Sequence, residues 1–143
     1  MGFLACYAGS LDGGGVVILA AGYDPVADED YLEDRTVGAR LGPGAFRRAL
    51  QRAFNGGRKD LGLFHVHMHD HPGIPALSGV DRRESARFVP DFFNASPGMP
   101  HGVLVLSRDV ASGLCWHSRS APPCPIDTIV SVGAPLCFWK HAA

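Results

Sequence analysis

No apolar run in this 143-residue chain approaches the roughly 18 residues that a membrane span requires. Excess charge is missing as well: 13 Lys and Arg stand against 14 Asp and Glu, a formal net charge of -1. That balance argues against nucleic acid or an anionic membrane surface as the main partner. The opening MGFLACYAGSLDGG lacks the basic start of a signal peptide. Cys6, Cys115, Cys124 and Cys137 include no CxxC pair, so they are expected to be reduced thiols in a cytoplasmic protein, neither disulfides nor a second metal site. Gly13-Gly14-Gly15 is not followed by Gly-Lys-Ser/Thr, which excludes a P-loop and leaves a flexible turn. Internal repeats, linkers and a Ser/His/Asp triad are absent too.

What remains is an ordinary globular composition, with 46% hydrophobic and 19% charged residues. It fits one domain over residues 1–143 with a core large enough to fold alone. Gly2 to Ala8 and Val16 to Ala21 are apolar runs joined by a glycine-rich turn, which predicts a β-hairpin. Phe46, Ala49, Leu50, Ala53 and Phe54 share one face of a helix that Asn55-Gly56-Gly57 stops. Leu61 to His67 reads as a buried strand. Asp81-Arg82-Arg83-Glu84 resembles a capping box opening a helix to about Phe88. Val103 to Leu106 and Gly113 to His117 read as a strand pair, and Ile126 to Val132 as a last strand or helical turn. Asp28 to Asp34 is acidic, a solvated face or a surface for a basic partner, and the tail Pro135 to Trp139 is a second candidate partner surface. These signals predict an α/β (α+β) domain, a mixed β-sheet flanked by helices.

The chemistry concentrates in LGLFHVHMHDHPGIPALSGVD, Leu61 to Asp81, which holds four of the seven histidines within seven residues. Residues two apart on a strand share a face, so an H-x-H pair at a strand end aims two imidazoles at one point. Asp81, at a helix start, is placed to supply a third ligand. Three protein ligands leave zinc one open position, whose water is acidified toward a pKa of about 7. Asp81 and Ser78 also fit a plainer role as helix caps. His101, His117 and His141 read as structural or surface histidines.

His-x-His, then Pro, then Ser-x-x-Asp resembles the motif of the JAMM (JAB/MPN+) metalloproteases. It is carried here by His65-Val66-His67 or His69-Asp70-His71-Pro72, followed by Ser78-Gly79-Val80-Asp81. The order of hairpin, helix and histidine strand is similar too, over roughly residues 2 to 107. The resemblance implies a JAB/MPN-like fold, most similar to bacterial stand-alone JAB proteins. It also implies a single zinc ion, and a metallo-isopeptidase that cleaves ubiquitin-like conjugates or precursors beside E1- and E2-like enzymes. Ser78 would steady the tetrahedral intermediate.

Two departures bear on the site. From His67 to Asp81 there are 13 intervening residues, three more than usual in the family; from His71 there are nine, one fewer. The first register places the ligands directly after the apolar strand, so His65, His67 and Asp81 are the favoured metal set, with His69 and His71 the alternative pair. The family's general-base glutamate precedes a strand matching Gly2-Phe3-Leu4, so it would fall just before Met1, and the chain would lack a few N-terminal residues. Glu29 and Glu33 are the nearest internal substitutes. A chain without that base is alternatively a catalytically inactive MPN-like binding module. The metallo-β-lactamase pattern H-x-H-x-D-H fits less well, since Asp70-His71 follows His65 and His67 one residue late.

Overall fold

A computed structural model describes residues 1–34, 38–55 and 59–141. In chain order its elements are β1 (Gly2–Leu11), β2 (Gly15–Pro25), a 3-10 turn (Asp28–Asp30), β3 (Tyr31–Asp34), β4 (Gly38–Leu41), α1 (Pro43–Asn55), β5 (Gly62–Met68), α2 (Gly79–Ala95), β6 (His101–Leu106), β7 (Ala111–Trp116), β8 (Cys124–Pro125), β9 (Thr128–Ser131) and β10 (Cys137–Lys140). Six strands form one mixed sheet in the order β2-β1-β5-β6-β7-β8, while β3-β4 and β9-β10 are two-stranded ribbons. This is the mixed α+β sheet that the alternating signals predicted. No helix of the described residues is long and apolar enough to cross a membrane.

Local chemistry accounts for the connections. Gly13 and Gly14 both take φ of 91°, a region closed to most side chains, and so let β1 turn into β2. β5 and β6 run parallel, in register from Phe64 opposite Gly102 to Met68 opposite Leu106. A parallel pair needs a long crossover, and α2 supplies it. That helix runs past Phe88, the end expected from the sequence, to Ala95. Pro90 removes one backbone donor, but its i−4 neighbour Ala86 is exposed, so water can satisfy the freed carbonyl.

Period-two alternation in β5 splits the core between the two faces of the sheet. On the helix side, Phe3, Leu63, Val103, Leu114 and Trp116 pack under Ala49 of α1 and Val89, Phe92 and Phe93 of α2. On the other side Phe64 lies with Cys6 and Cys115, edged by Leu4, Ile18, Leu104, Cys124 and Ile126. The α1 stripe buries as predicted up to Ala53, whereas Phe54 stays exposed and lines a groove between α1 and α2 with Phe46, Leu50 and Phe88. The acidic segment folds as the 3-10 turn and β3, and Asp30 pairs with Arg48 of α1. All four cysteines are free thiols.

His101 ties the helix layer to the sheet. It is fully buried, its Nδ1 accepts from the Leu63 N–H and its Nε2 donates to the Ser96 carbonyl, both at 2.9 Å. Those two bonds fix a neutral tautomer, and burial holds its pKa below the usual imidazole value. The structural role expected of this histidine is the one it has.

Candidate metal centre

The histidine tract runs along the helix-facing side of β5 and past its end. His65 lies deepest, its ring against Phe3, Phe46 and Phe88 and stacked on His67 with ring centroids 5.6 Å apart. His67 comes next toward the open end. His69 falls one residue beyond β5, but its N–H donates to the Leu106 carbonyl at 2.8 Å, so the extended backbone and the alternation continue through it.

After His69 the chain turns away. Arg108 binds Asp70 at 2.8 Å, the Arg108 N–H donates to the His71 carbonyl at 3.1 Å, and the Gly73 N–H donates to Asp109 at 2.7 Å. These bonds pin the loop to the β6–β7 turn. His71 is exposed, with its Nδ1 2.9 Å from the Pro72 carbonyl oxygen. Asp70, the carboxylate in the β-lactamase-like pattern, is engaged by Arg108.

The loop returns to the site at α2. Ser78 is its N-cap: the Ser78 hydroxyl accepts from the Asp81 N–H at 3.1 Å, and the Ser78 N–H donates to Asp81 Oδ2 at 2.7 Å. The capping box is therefore Ser78 with Asp81, not Asp81 with Glu84, and α2 starts at Gly79. The box fixes the Asp81 carboxylate and turns it toward β5. Asp81 Oδ1 lies 3.5 Å from His67 Nε2, and Oδ2 lies 3.9 Å from His69 Nε2.

One ligand atom each from His67, His69 and Asp81 lie within 4.8 Å of one another. A hydrogen bond would bring nitrogen and oxygen to about 2.7–3.2 Å. Two ligands of a tetrahedral zinc ion, each about 2.0–2.2 Å from it, stand about 3.3–3.6 Å apart. The observed 3.5 Å between His67 and Asp81 falls in the second range. Both ring nitrogens of His67 are buried without a hydrogen-bond partner. Buried polar atoms are normally paired, and an unpaired one costs about 1–3 kcal/mol. A cation held at Nε2 would relieve the cost at that nitrogen, so the residues present fit a bound ion.

Protonation agrees with ligation. Burial lowers the pKa of His67, and the neighbouring His69 and the N-terminal ammonium act in the same direction, against the opposing pull of Asp81. Neutral imidazole, the form that binds metals, is thereby favoured. Burial pushes His65 down to about 3, helped by His67 and the N-terminal ammonium.

The structure thus draws one member from each expected histidine pair. His67 and His69 join Asp81; His65 sits beneath the group in an aromatic pocket, and His71 lies outside it. Eleven residues separate His69 from Asp81, one more than the family's ten, a register between the two weighed above. The signal that reveals it is the point where β5 ends, which the sequence marked only by a change from apolar to polar residues. Ser78 stands at the rim as the cap of Asp81. Glu29 is exposed on the 3-10 turn and outside the group, and the side chain of Glu33 lies outside the described part of the structure. Among the described residues no second carboxylate joins the group. The chain matches no protein-family model, no curated protein and no solved structure.

Proposed function

We propose that this chain is a zinc-dependent metallopeptidase of the JAMM type, acting on conjugates or precursors of ubiquitin-like proteins. The observation that carries the reading is the group itself, imidazoles at and just past the end of β5 and a helix-start carboxylate, with one ligand atom each within 4.8 Å of one another, oriented by a Ser-x-x-Asp capping box. His67, His69 and Asp81 would hold the ion. Zinc with three protein ligands supplies an acidified water and polarises a carbonyl. Ser78 stands beside Asp81 at the helix start, where its hydroxyl can donate to the oxyanion that develops on a scissile carbonyl.

The remaining requirement is a base. β1 runs antiparallel to β5 with Gly2 opposite Val66, and continuing that register sets Met1 level with His67. The N-terminal ammonium is close enough to depress both His65 and His67, and it donates to the Tyr31 hydroxyl at 2.8 Å. A glutamate two positions ahead of Met1 would come level with His69 and share its face, on the side from which a base could serve the group. A positioned base contributes about 10²- to 10⁴-fold.

A second reading, an inactive MPN-like module that docks a partner without cutting it, is favoured by the single carboxylate in the group. The two are separated by extending the chain with a glutamate two residues before Met1 and assaying a ubiquitin-like fusion. Cleavage that requires zinc and stops with a chelator supports the enzyme. A folded chain that does not cleave supports the module, and a lack of zinc binding sinks the enzyme.

A further inference from the structure

A second reactive cluster lies on the opposite face of the sheet and belongs to no part of the metal centre. β7 and β8 pair antiparallel with Cys115 directly opposite Cys124. Cross-strand partners point to the same face, and in either kind of antiparallel pair their Cα atoms are about 4.5–5.5 Å apart. That separation lies inside the range of about 4.4–6.8 Å over which a disulfide forms without backbone movement. Cys124 is half-buried between Pro123 and Pro125, and its Sγ lies 3.2 Å from His117 Nε2 and 3.4 Å from the Cys115 carbonyl oxygen.

We propose that Cys115, His117 and Cys124 form a hydroperoxide-sensitive dithiol, in which Cys124 reacts first and Cys115 resolves it to a cross-strand disulfide. The thiolate is the nucleophilic form of cysteine, and an imidazole nitrogen at 3.2 Å is placed to take the Cys124 proton. The Cys124 sulfur attacks one peroxide oxygen and the O–O bond breaks. Hydroxide leaves, takes the proton from His117 and departs as water, which leaves Cys124 as a sulfenic acid. The Cys115 sulfur then attacks Cys124, the S–O bond breaks, and the leaving hydroxide takes the Cys115 proton as a second water. Two thiols have given up two electrons to one hydroperoxide. Cys115 is buried, whereas Cys124 is half-exposed and lies beside His117, which assigns the first step to Cys124. Cys6, buried in the same apolar cluster with its thiol raised to about 12, stays a spectator on β1, with β5 and β6 between it and β7.

The test uses the full chain, reduced and freed of reductant, then treated at low protein concentration with equimolar hydrogen peroxide. Remaining thiols are capped with N-ethylmaleimide and the products mapped by mass spectrometry. The expected result is loss of two of the four thiols and a peptide pair joined through Cys115 and Cys124. In a Cys115→Ala variant, dimedone should trap a sulfenic acid on Cys124. The His117→Asn variant should lose thiols more slowly than the unaltered protein. Four intact thiols, a disulfide between any other pair, or an unchanged rate in His117→Asn would overturn the proposal.

Discussion

Asp81 does two things at once, and the structure predicts that they separate. As N3 of α2 it accepts from the Ser78 N–H at 2.7 Å through Oδ2, while Oδ1 faces His67 at 3.5 Å. Asp81→Asn keeps one oxygen for the cap but removes the charge offered to a cation. Loss of an outer-shell partner alone weakens metal binding about 10- to 100-fold, so loss of a ligand should cost at least about 100-fold, or roughly 2.7 kcal/mol. Ser78→Ala is the converse. It removes the hydroxyl that accepts from the Asp81 N–H at 3.1 Å but keeps the backbone donor that orients the carboxylate. Its cost falls on stability, about 1 kcal/mol for a lost N-cap, or about 3–4 °C in Tm for a domain of this size. Zinc affinity should stay within a few-fold. Isothermal titration with zinc and thermal melts on both variants read the two quantities separately. Equal zinc affinity in Asp81→Asn and the unaltered protein would refute the reasoning, and so would a Ser78→Ala variant that loses affinity as severely.

Three further outcomes follow from the core. Replacing His101 with Phe strands the Leu63 N–H inside the protein, while the Ser96 carbonyl keeps the Met99 N–H at 3.2 Å, so the expected loss is about 1–3 kcal/mol in urea denaturation; an unchanged denaturation midpoint would show that the bridge is dispensable. His65, His67 and His101 all have folded pKa values below the unfolded 6.5, so the unfolded chain binds protons that the fold refuses. Metal-stripped protein should therefore keep full stability above about pH 6.5 and lose it as the pH falls below, by up to about 1.4 kcal/mol per pH unit for each imidazole; a flat or rising profile between pH 7 and 5 would contradict this. A Cβ on Gly102 would collide with the Leu114 carbonyl and the Phe64 ring, so Gly102→Ala should destabilise by about 1–3 kcal/mol, and an unchanged melting temperature would show that β6 can shift to make room.

The sequence shows the sheet and the helix layer because their residues repeat with the periods those elements need. Phe46, Ala49, Leu50 and Ala53 mark α1 by spacing alone, and glycines mark the first hairpin. The β3–β4 ribbon was not legible: Leu32 and Leu41 stand among charged residues, and four-residue strands leave no clean alternation. The end of α2 was misplaced because Pro90 is tolerated where the surface lets water replace a donor. The ligand set lies between these cases. Four alternating histidines mark a candidate metal site, but a period of two cannot say which pair faces the carboxylate, since His65, His67 and His69 all point to the helix side. Tertiary packing decides: Phe3, Phe46 and Phe88 enclose His65, the ties from Arg108 and Asp109 carry His71 away, and the capping box brings Asp81 level with His67 and His69.

That selection is tested most directly by measuring zinc content and affinity, by elemental analysis and calorimetry, across single His→Asn variants at positions 67, 69 and 71. The unaltered chain should bind one zinc ion. His67→Asn and His69→Asn should each lose at least about 100-fold in affinity, and His71→Asn should bind as the unaltered chain does. Full binding by His69→Asn together with its loss in His71→Asn, or no stoichiometric zinc in the unaltered protein, would contradict the account.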